Sequence, residues 1–257
     1  MKYYSILIVA ILAGCTTPDQ SQESLTTKKP PHYGNRAIHP FIQKSIQAHY
    51  PNGIEQRGIS FQFRDRFYSC YYDRGTYCFT RSYMSEEVSI QDTLSNGGFF
   101  RFLDGELIKL SQEDSLNFME GLNGVIYFGF LPDRLTDPAV VADSLEPQIL
   151  NGKKYHLLRV RFTEEEGGED FDDEFMYWFE WDSYLLDFFS YRYNRDGGGV
   201  RFREAINRRE IGGLIIQDYL NYKHEKLTIP LDSLSLIYRN SALELLSKIE
   251  FTSVKIK

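Results

Sequence analysis

The chain has 257 residues and a formal net charge of −7. The acidic balance argues against a general nucleic-acid binder, which carries a basic face. A hydrophobic fraction of 42% excludes a disordered chain, and the length fits one large domain or two small ones.

The first 15 residues read as a processing segment. Lys2 supplies a positive start, and the apolar run from Ser5 to Leu12 is too short to span a bilayer as a helix. It ends in Leu12-Ala13-Gly14-Cys15, which resembles a bacterial lipoprotein lipobox, in which small residues directly precede the Cys. The resemblance implies cleavage of a signal peptide over 1–14 and acylation of Cys15 by chains of the palmitate type, giving attachment to a membrane. The alternative is an ordinary secretory signal with a chance Cys. Thr16 is not the Asp associated with inner-membrane retention, so the resemblance favours the outer membrane, on its periplasmic side. Residues 15–34 are rich in Thr, Pro, Gln, Ser and Lys without periodicity and read as a flexible tether. Residues 35–257 are expected to form a single β domain.

His39 to Tyr50 has helical spacing, with Ile38, Phe41, Ile42, Ile46 and His49 on one stripe, and Pro51-Asn52-Gly53 ends it. His39 and His49 lack ligand-spaced partners, so no metal is expected. Ile59 to Tyr72 alternates as one long strand, bulged near Asp65-Arg66, with Tyr77 to Tyr83 as its partner. With Asp73-Arg74-Gly75 as the loop, Cys70 would face Cys78 at a Cα separation of roughly 4.5–5.5 Å, which admits a disulfide. Two free thiols are the alternative. Ile90 to Asn96, Gly98 to Leu103 and Glu106 to Leu110 continue the meander through Asn96-Gly97 and Asp104-Gly105 turns.

Gln112 to Phe130 changes to helical spacing through Leu116, Met119, Leu122 and Ile126, with Asn123-Gly124 as a kink or end. Leu131 to Val141 reads as an irregular connection, and the region from Gln112 to Val141 is expected to cover the sheet. From Lys154 to Lys223 run five aromatic and β-branched strands: Tyr155 to Phe162, Phe171 to Phe179, Tyr184 to Tyr193, Val200 to Ile211 and Leu214 to Lys223. Gly212-Gly213 sets the register, pairing Asn207 with Asp218, Ala205 with Leu220 and Arg203 with Tyr222. Leu231 to Tyr238 reads as a short helix and Leu246 to Ile256 as a last strand.

Chemistry is sparse. The carboxylates from Glu164 to Glu174 do not follow calcium-loop spacing and read as a solvated hairpin loop. Gly197 to Gly199 lacks the Lys-Ser or Lys-Thr of a phosphate loop. The five histidines are scattered and no nucleophile elbow occurs, so no catalytic residue and no cofactor is expected. Two groups remain. Arg201, Arg203 and Tyr222 would share a face, joined by Arg192 across the triple-glycine turn, and could hold an anionic headgroup. Ion pairing on a solvated face is the favoured alternative. Phe61, Phe63, Phe79, Phe99, Leu122, Ile126, Phe130, Tyr177 and Phe188 could line a ligand cavity, or fill a solid core with the same alternation.

Several phrases resemble a family of uncharacterised Gram-negative lipoproteins known only as a domain of unknown function. They are Ile59-Ser60-Phe61-Gln62-Phe63-Arg64-Asp65, Val125-Ile126-Tyr127-Phe128, Leu131-Pro132 with Asp137-Pro138-Ala139-Val140, Gly152-Lys153-Lys154-Tyr155-His156, Phe175-Met176-Tyr177-Trp178, Gly199-Val200-Arg201-Phe202-Arg203-Glu204-Ala205, and Gln217-Asp218-Tyr219-Leu220-Asn221-Tyr222. That family is similar to the outer-membrane lipoprotein carrier (LolA-like) fold. The resemblance implies a mainly β, α+β architecture: a strongly curved antiparallel sheet, an open half-barrel, with a helical lid. It also implies a non-enzymatic, membrane-anchored protein that binds a lipid or acyl chain. The alternatives are an envelope scaffold with a filled core and a protein partner or, more weakly, a hydrolase of lipid or glycan.

Overall fold

Most of the chain alternates apolar and polar residues, and antiparallel strands are the outcome. The computed structural model describes residues 38–73, 75–163, 173–194 and 197–257. The expected signal segment, Cys15, the tether and residues 164–172 of the acidic loop lie outside them. Helix α1 (Pro40–His49) is followed by β1 (Gly58–Phe63), β2 (Arg66–Asp73), β3 (Thr76–Ser85), β4 (Val88–Ser95), β5 (Gly98–Leu103) and β6 (Glu106–Ile108). Helix α2 (Gln112–Gly129) separates these from β7 (Val140–Leu150), β8 (Lys153–Phe162), β9 (Glu174–Glu180), β10 (Leu186–Tyr193), β11 (Gly199–Ile211) and β12 (Leu214–His224). A short helix, α3 (Leu234–Arg239), precedes β13 (Glu244–Ile249) and β14 (Phe251–Ile256).

The strands form two seven-stranded antiparallel sheets, ordered β14-β1-β2-β3-β4-β5-β6 and β13-β12-β11-β10-β9-β8-β7. Glu250 alone separates β13 from β14, so one length of chain edges both sheets. The bend is fixed by Asp218, whose carboxylate accepts the Phe251 amide (2.9 Å) and pairs with Arg209 (3.2 Å). The main core fills the space between the inner faces and α2. A second core, with Trp178, Phe188 and Phe202, lies on the outer face of the second sheet under Leu231, Leu234 and Tyr238. Strands β9 and β10 are therefore buried on both faces, which explains their near-continuous apolar runs. The outer face of the first sheet is uncharged across its middle: Ser60, Gln62, Ser69, Thr80, Ser82, Gln91 and Thr93 surround exposed Phe67, Tyr71 and Met84.

Several expectations are corrected. Ile59 to Tyr72 is not one strand but a hairpin, reversing at Arg64-Asp65 so that Phe63 pairs with Arg66. Arg64 takes the left-handed conformation (φ 57°), a role usually given to Gly or Asn, so the turn left no composition signal. The next strand pair is in a register one residue from that expected, with Asp73 opposite Thr76 and Cys70 opposite Phe79. Cys70 therefore points to the inner face and Cys78 to the outer one, and the Cys70–Cys78 disulfide does not form; Cys70 is a buried free thiol. Strand β7 was hidden by Asp143, Glu146 and Pro147. It is an edge strand with a bulge between Leu145 and Gln148, the position at which a sheet tolerates proline. The last strand is split between the two sheets.

Helix α1 starts with Pro40, and His39 Nδ1 accepts the Phe41 amide as its cap. Its buried face carries Ile42, Ser45 and His49. His49 is fully enclosed and donates from Nδ1 to the Ser45 carbonyl (2.9 Å). Burial lowers its pKa from 6.5 to about 4. The neutral ring's contribution to stability is fully present above pH 6.5 and is lost as pH falls toward 4. Urea unfolding should therefore show about 3 kcal/mol less stability at pH 4 than at pH 7 from this residue, and His49→Gln should flatten that part of the profile.

Candidate functional site

The site is the inner face roofed by α2. Ser111 caps the helix, its Oγ accepting the Asp114 amide (3.0 Å), and Glu113 and Asp114 favour the positive helix start. Only Leu122 and Ile126 of α2 are fully buried. Gly121 and Gly124 lie inside the helix, where each costs about 1 kcal/mol relative to Ala, and Gly129 is its last residue. Gly129 rests against the Phe251 ring, but nothing lies within 4 Å of a Cβ added at Gly124. The roof is thus intrinsically weaker than a helix of this length needs to be.

The first half of α2 sits on a buried charge cluster. Asp92, with no exposed surface, receives Arg81 (Nε 2.8 Å, Nη2 2.5 Å) from β3 and Arg101 (Nε 2.6 Å, Nη2 2.9 Å) from β5. The three residues are opposite one another on adjacent strands. Arg81 also donates to the Phe118 carbonyl of α2 (3.2 Å), and the Arg101 guanidinium lies 3.3 Å from the Phe118 ring centroid. One carboxylate balances two guanidiniums, leaving a buried excess of one positive charge.

The second half of α2 sits on aromatic rings of the second sheet. Phe128 stacks on Phe189 (5.8 Å) and Tyr191 (5.2 Å). Arg203 is slotted beside them, 8% exposed, with its guanidinium 4.3 Å from the Phe128 centroid. It donates to the Tyr191 hydroxyl (2.9 Å), and its Nε has no hydrogen-bond partner. Among the described residues no carboxylate pairs with it. Arg201, half-buried one step along β11, donates to the Tyr193 hydroxyl (2.6 Å). The hydroxyls of Tyr177 and of Tyr127 on α2 are buried facing each other, with no other partner, and burial pushes both phenols above their ordinary range.

The predicted site residues divide accordingly. Phe61, Phe79, Leu122, Ile126, Phe130 and Tyr177 are in the inner core, with Phe63 and Phe99 packed against it. Phe188 is not with them but on the opposite face, in the second core. These side chains fill the interior: the gap bounded by Ile59, Phe61, Phe130, Ile216 and Phe251 measures 10 Å³, room for one water at most. Arg201 and Arg203 share the inner face as expected. Tyr222 does not, because a bulge after Ile206, with Asn207 left-handed (φ 49°), shifts the pairing by one residue and sets Arg203 opposite Asn221. Tyr222 is opposite Phe202 on the outer face. Arg192 is also outside the group: opposite Val200, it is held by the carbonyls of Leu227 and Ile229 and by Glu174 (3.4 Å). The sequence reading missed Asp92 with its two arginines, Phe128, Tyr191 and Asn221. For Asp92 the signal was present, as three charges at inward positions of otherwise apolar strand faces.

The chain belongs to a family of unknown function, DUF6503, whose model matches residues 4–251. No curated protein matches it. Among solved structures it is similar to a LolA superfamily protein from Nitrosomonas europaea (10% identity over 84% of this chain and 91% of the other, TM-score 0.47). It is also similar to a DUF1329 family protein from Desulfovibrio piger (7% identity, 85% and 92% covered, TM-score 0.40). A third is a domain assigned to outer membrane lipoprotein sorting from Vibrio parahaemolyticus (8% identity, 84% and 91% covered, TM-score 0.39).

Asp92→Asn should remove the counter-charge of two buried guanidiniums and lower unfolding free energy by about 3–5 kcal/mol in urea titration. Replacing Arg81, Asp92 and Arg101 together by Met, Leu and Met should recover most of that loss.

Proposed function

We propose that this protein is a membrane-anchored lipoprotein of the cell envelope, acylated at Cys15 and facing the periplasm from the outer membrane. It binds an apolar or amphipathic ligand, a lipid or acyl chain, between α2 and the inner face, without catalysis. The observation that carries this reading is the roof itself. A curved sheet floored with aromatic rings is covered by one helix with two internal glycines and two fully buried side chains. The interior is filled when α2 is down, so ligand enters by displacing α2 and takes over its contacts.

The state of the histidines supports a binding role over hydrolysis. His39 lies 3.0 Å from the Ser144 hydroxyl, but its Nδ1 accepts the Phe41 amide, so Nε2 carries the proton and cannot take one from Ser144. His49 is sealed in the core, and His156 is stacked on Trp181 (4.0 Å) and Tyr184 (4.9 Å).

Native mass spectrometry of protein purified without detergent tests the reading. A co-purified lipid at one per chain is expected. A clean mass, unchanged after exposure to envelope lipids, would contradict it. That result would instead favour an interaction module, a reading supported by the filled interior and by the uncharged outer face around Phe67, Tyr71 and Met84. Gly124→Ala should stabilise the protein by about 1 kcal/mol and, by holding the roof down, slow ligand release measured by exchange of a fluorescent fatty acid.

A further inference from the structure

The register of the second sheet places Tyr177, Phe189, Arg203 and Asn221 side by side on strands β9, β10, β11 and β12. Two members of this row leave a polar atom buried without a partner, Arg203 Nε and Asn221 Oδ1, and the Tyr177 hydroxyl has beside it only the Tyr127 hydroxyl of α2, a neighbour that leaves when the helix lifts. Each side chain is more than nine-tenths buried. Such groups are normally satisfied, and two in one row, beside a hydroxyl whose only neighbour is on α2, form a consistent set. Arg203 and Tyr177 offer donors. Asn221 bonds through Nδ2 to the Ser247 hydroxyl (3.1 Å), which can donate as well as accept. Turning the amide over would satisfy Oδ1 from Ser247 and direct Nδ2 inward as a third donor.

Along this face of β11 the charges have one sign. Arg201 follows Arg203 on the same face, and Lys223 is opposite Arg201. Glu244 pairs with Lys223 (3.0 Å), and no carboxylate among the described residues pairs with Arg203 or Arg201. The flat side of the Arg203 guanidinium is meanwhile covered by the Phe128 ring, an apolar group that leaves when α2 lifts. A cation with unused donors beneath a removable apolar cover fits an anion attached to a hydrocarbon chain.

We infer that the row Tyr177–Arg203–Asn221 is a headgroup subsite for an amphiphile bearing one acidic group, a carboxylate or phosphate, whose chain lies under α2 in place of the Phe128 ring. The inference rests on the ligand-binding reading above and deepens it. Arg203 gives a bidentate or Nε-directed contact to the acid, Tyr177 a neutral donor, and the aromatic floor of Phe189 and Tyr191 carries the first part of the chain.

The test compares oleate, oleyl alcohol and inorganic phosphate by equilibrium dialysis against the native protein, Arg203→Met, Arg203→Lys and Asn221→Leu. Oleate should bind about tenfold tighter than the alcohol, as a charge-assisted hydrogen bond permits. Arg203→Met should erase that preference while leaving alcohol binding in place, and its melting temperature should be no lower than the native value, because a buried unpaired cation has been removed. Arg203→Lys should keep part of the preference, and Asn221→Leu should reduce it. Equal binding of oleate and alcohol by the native protein would overturn the headgroup subsite and leave the apolar-ligand reading standing. Binding of neither would overturn both. Phosphate competing with oleate supports the shared acidic-group chemistry. Phosphate bound by a protein that takes up no oleate would make this a free-anion site and refute the amphiphile. A large fall in the melting temperature of Arg203→Met, with the oleate preference retained, would make Arg203 a structural residue only.

Discussion

The fourteen strands of the described residues, in two open sheets, present more apolar inner surface than the sheets can cover by themselves, and a helix of 18 residues closes it. That geometric constraint organises the molecule. The sheets are brought edge to edge by a single length of chain bent at Glu250, with Asp218 and Arg209 fixing the bend. Across the resulting trough α2 makes two unlike contacts. Its first half is tied to the first sheet by charge, through Arg81 and Arg101 on Phe118, and its second half is stacked on the second sheet by rings, through Phe128 on Phe189 and Tyr191.

The two contacts have different energetic characters. Asp92 hydrogen-bonds both of its arginines, so each guanidinium has a carboxylate partner although one positive charge is left over. Arg203 has no such partner among the described residues. Stacking on rings recovers only part of what a cation loses on leaving water, on the order of 0.5–2 kcal/mol per good contact against a desolvation cost of several. Retaining an arginine there is costly to stability, and such costs concentrate where a protein binds something. On the outer face of the second sheet the arginines described have carboxylate partners. Trp178 donates to Gln148 (2.9 Å), and Arg192 is fully engaged by carbonyls and Glu174.

Much of the architecture was legible in the sequence. Period-two alternation located β1 and β3 to β5, and aromatic density located β8 to β12. The change to helical spacing located α2, and Gly212-Gly213 located its hairpin. Two of the failures share a physical cause: turns and bulges made by residues other than glycine. Arg64 and Asn207 take left-handed conformations without advertising them, and one added residue is enough to send Tyr222 to the wrong face. The same one-residue slip separated Cys70 from Cys78. Strand β7 was lost because an edge strand is allowed the charges and the proline that exclude a central one. The apolar residues of the site were recognisable, but whether they enclose a cavity or fill it depends on packing of α2 against the sheets, which alternation does not encode.

The central claim is that α2 is a removable roof over a pre-formed cationic and aromatic floor. Hydrogen exchange measured amide by amide tests it most directly, since local opening and global unfolding are read separately for each element. Residues 112–129 should exchange through an opening much less costly than global unfolding, while β8 to β12 exchange only with unfolding of the whole protein, and saturating oleate should slow α2 selectively. Exchange of α2 at the same rate as those strands, unaffected by oleate, would contradict the account and leave a protein whose interior is permanently closed.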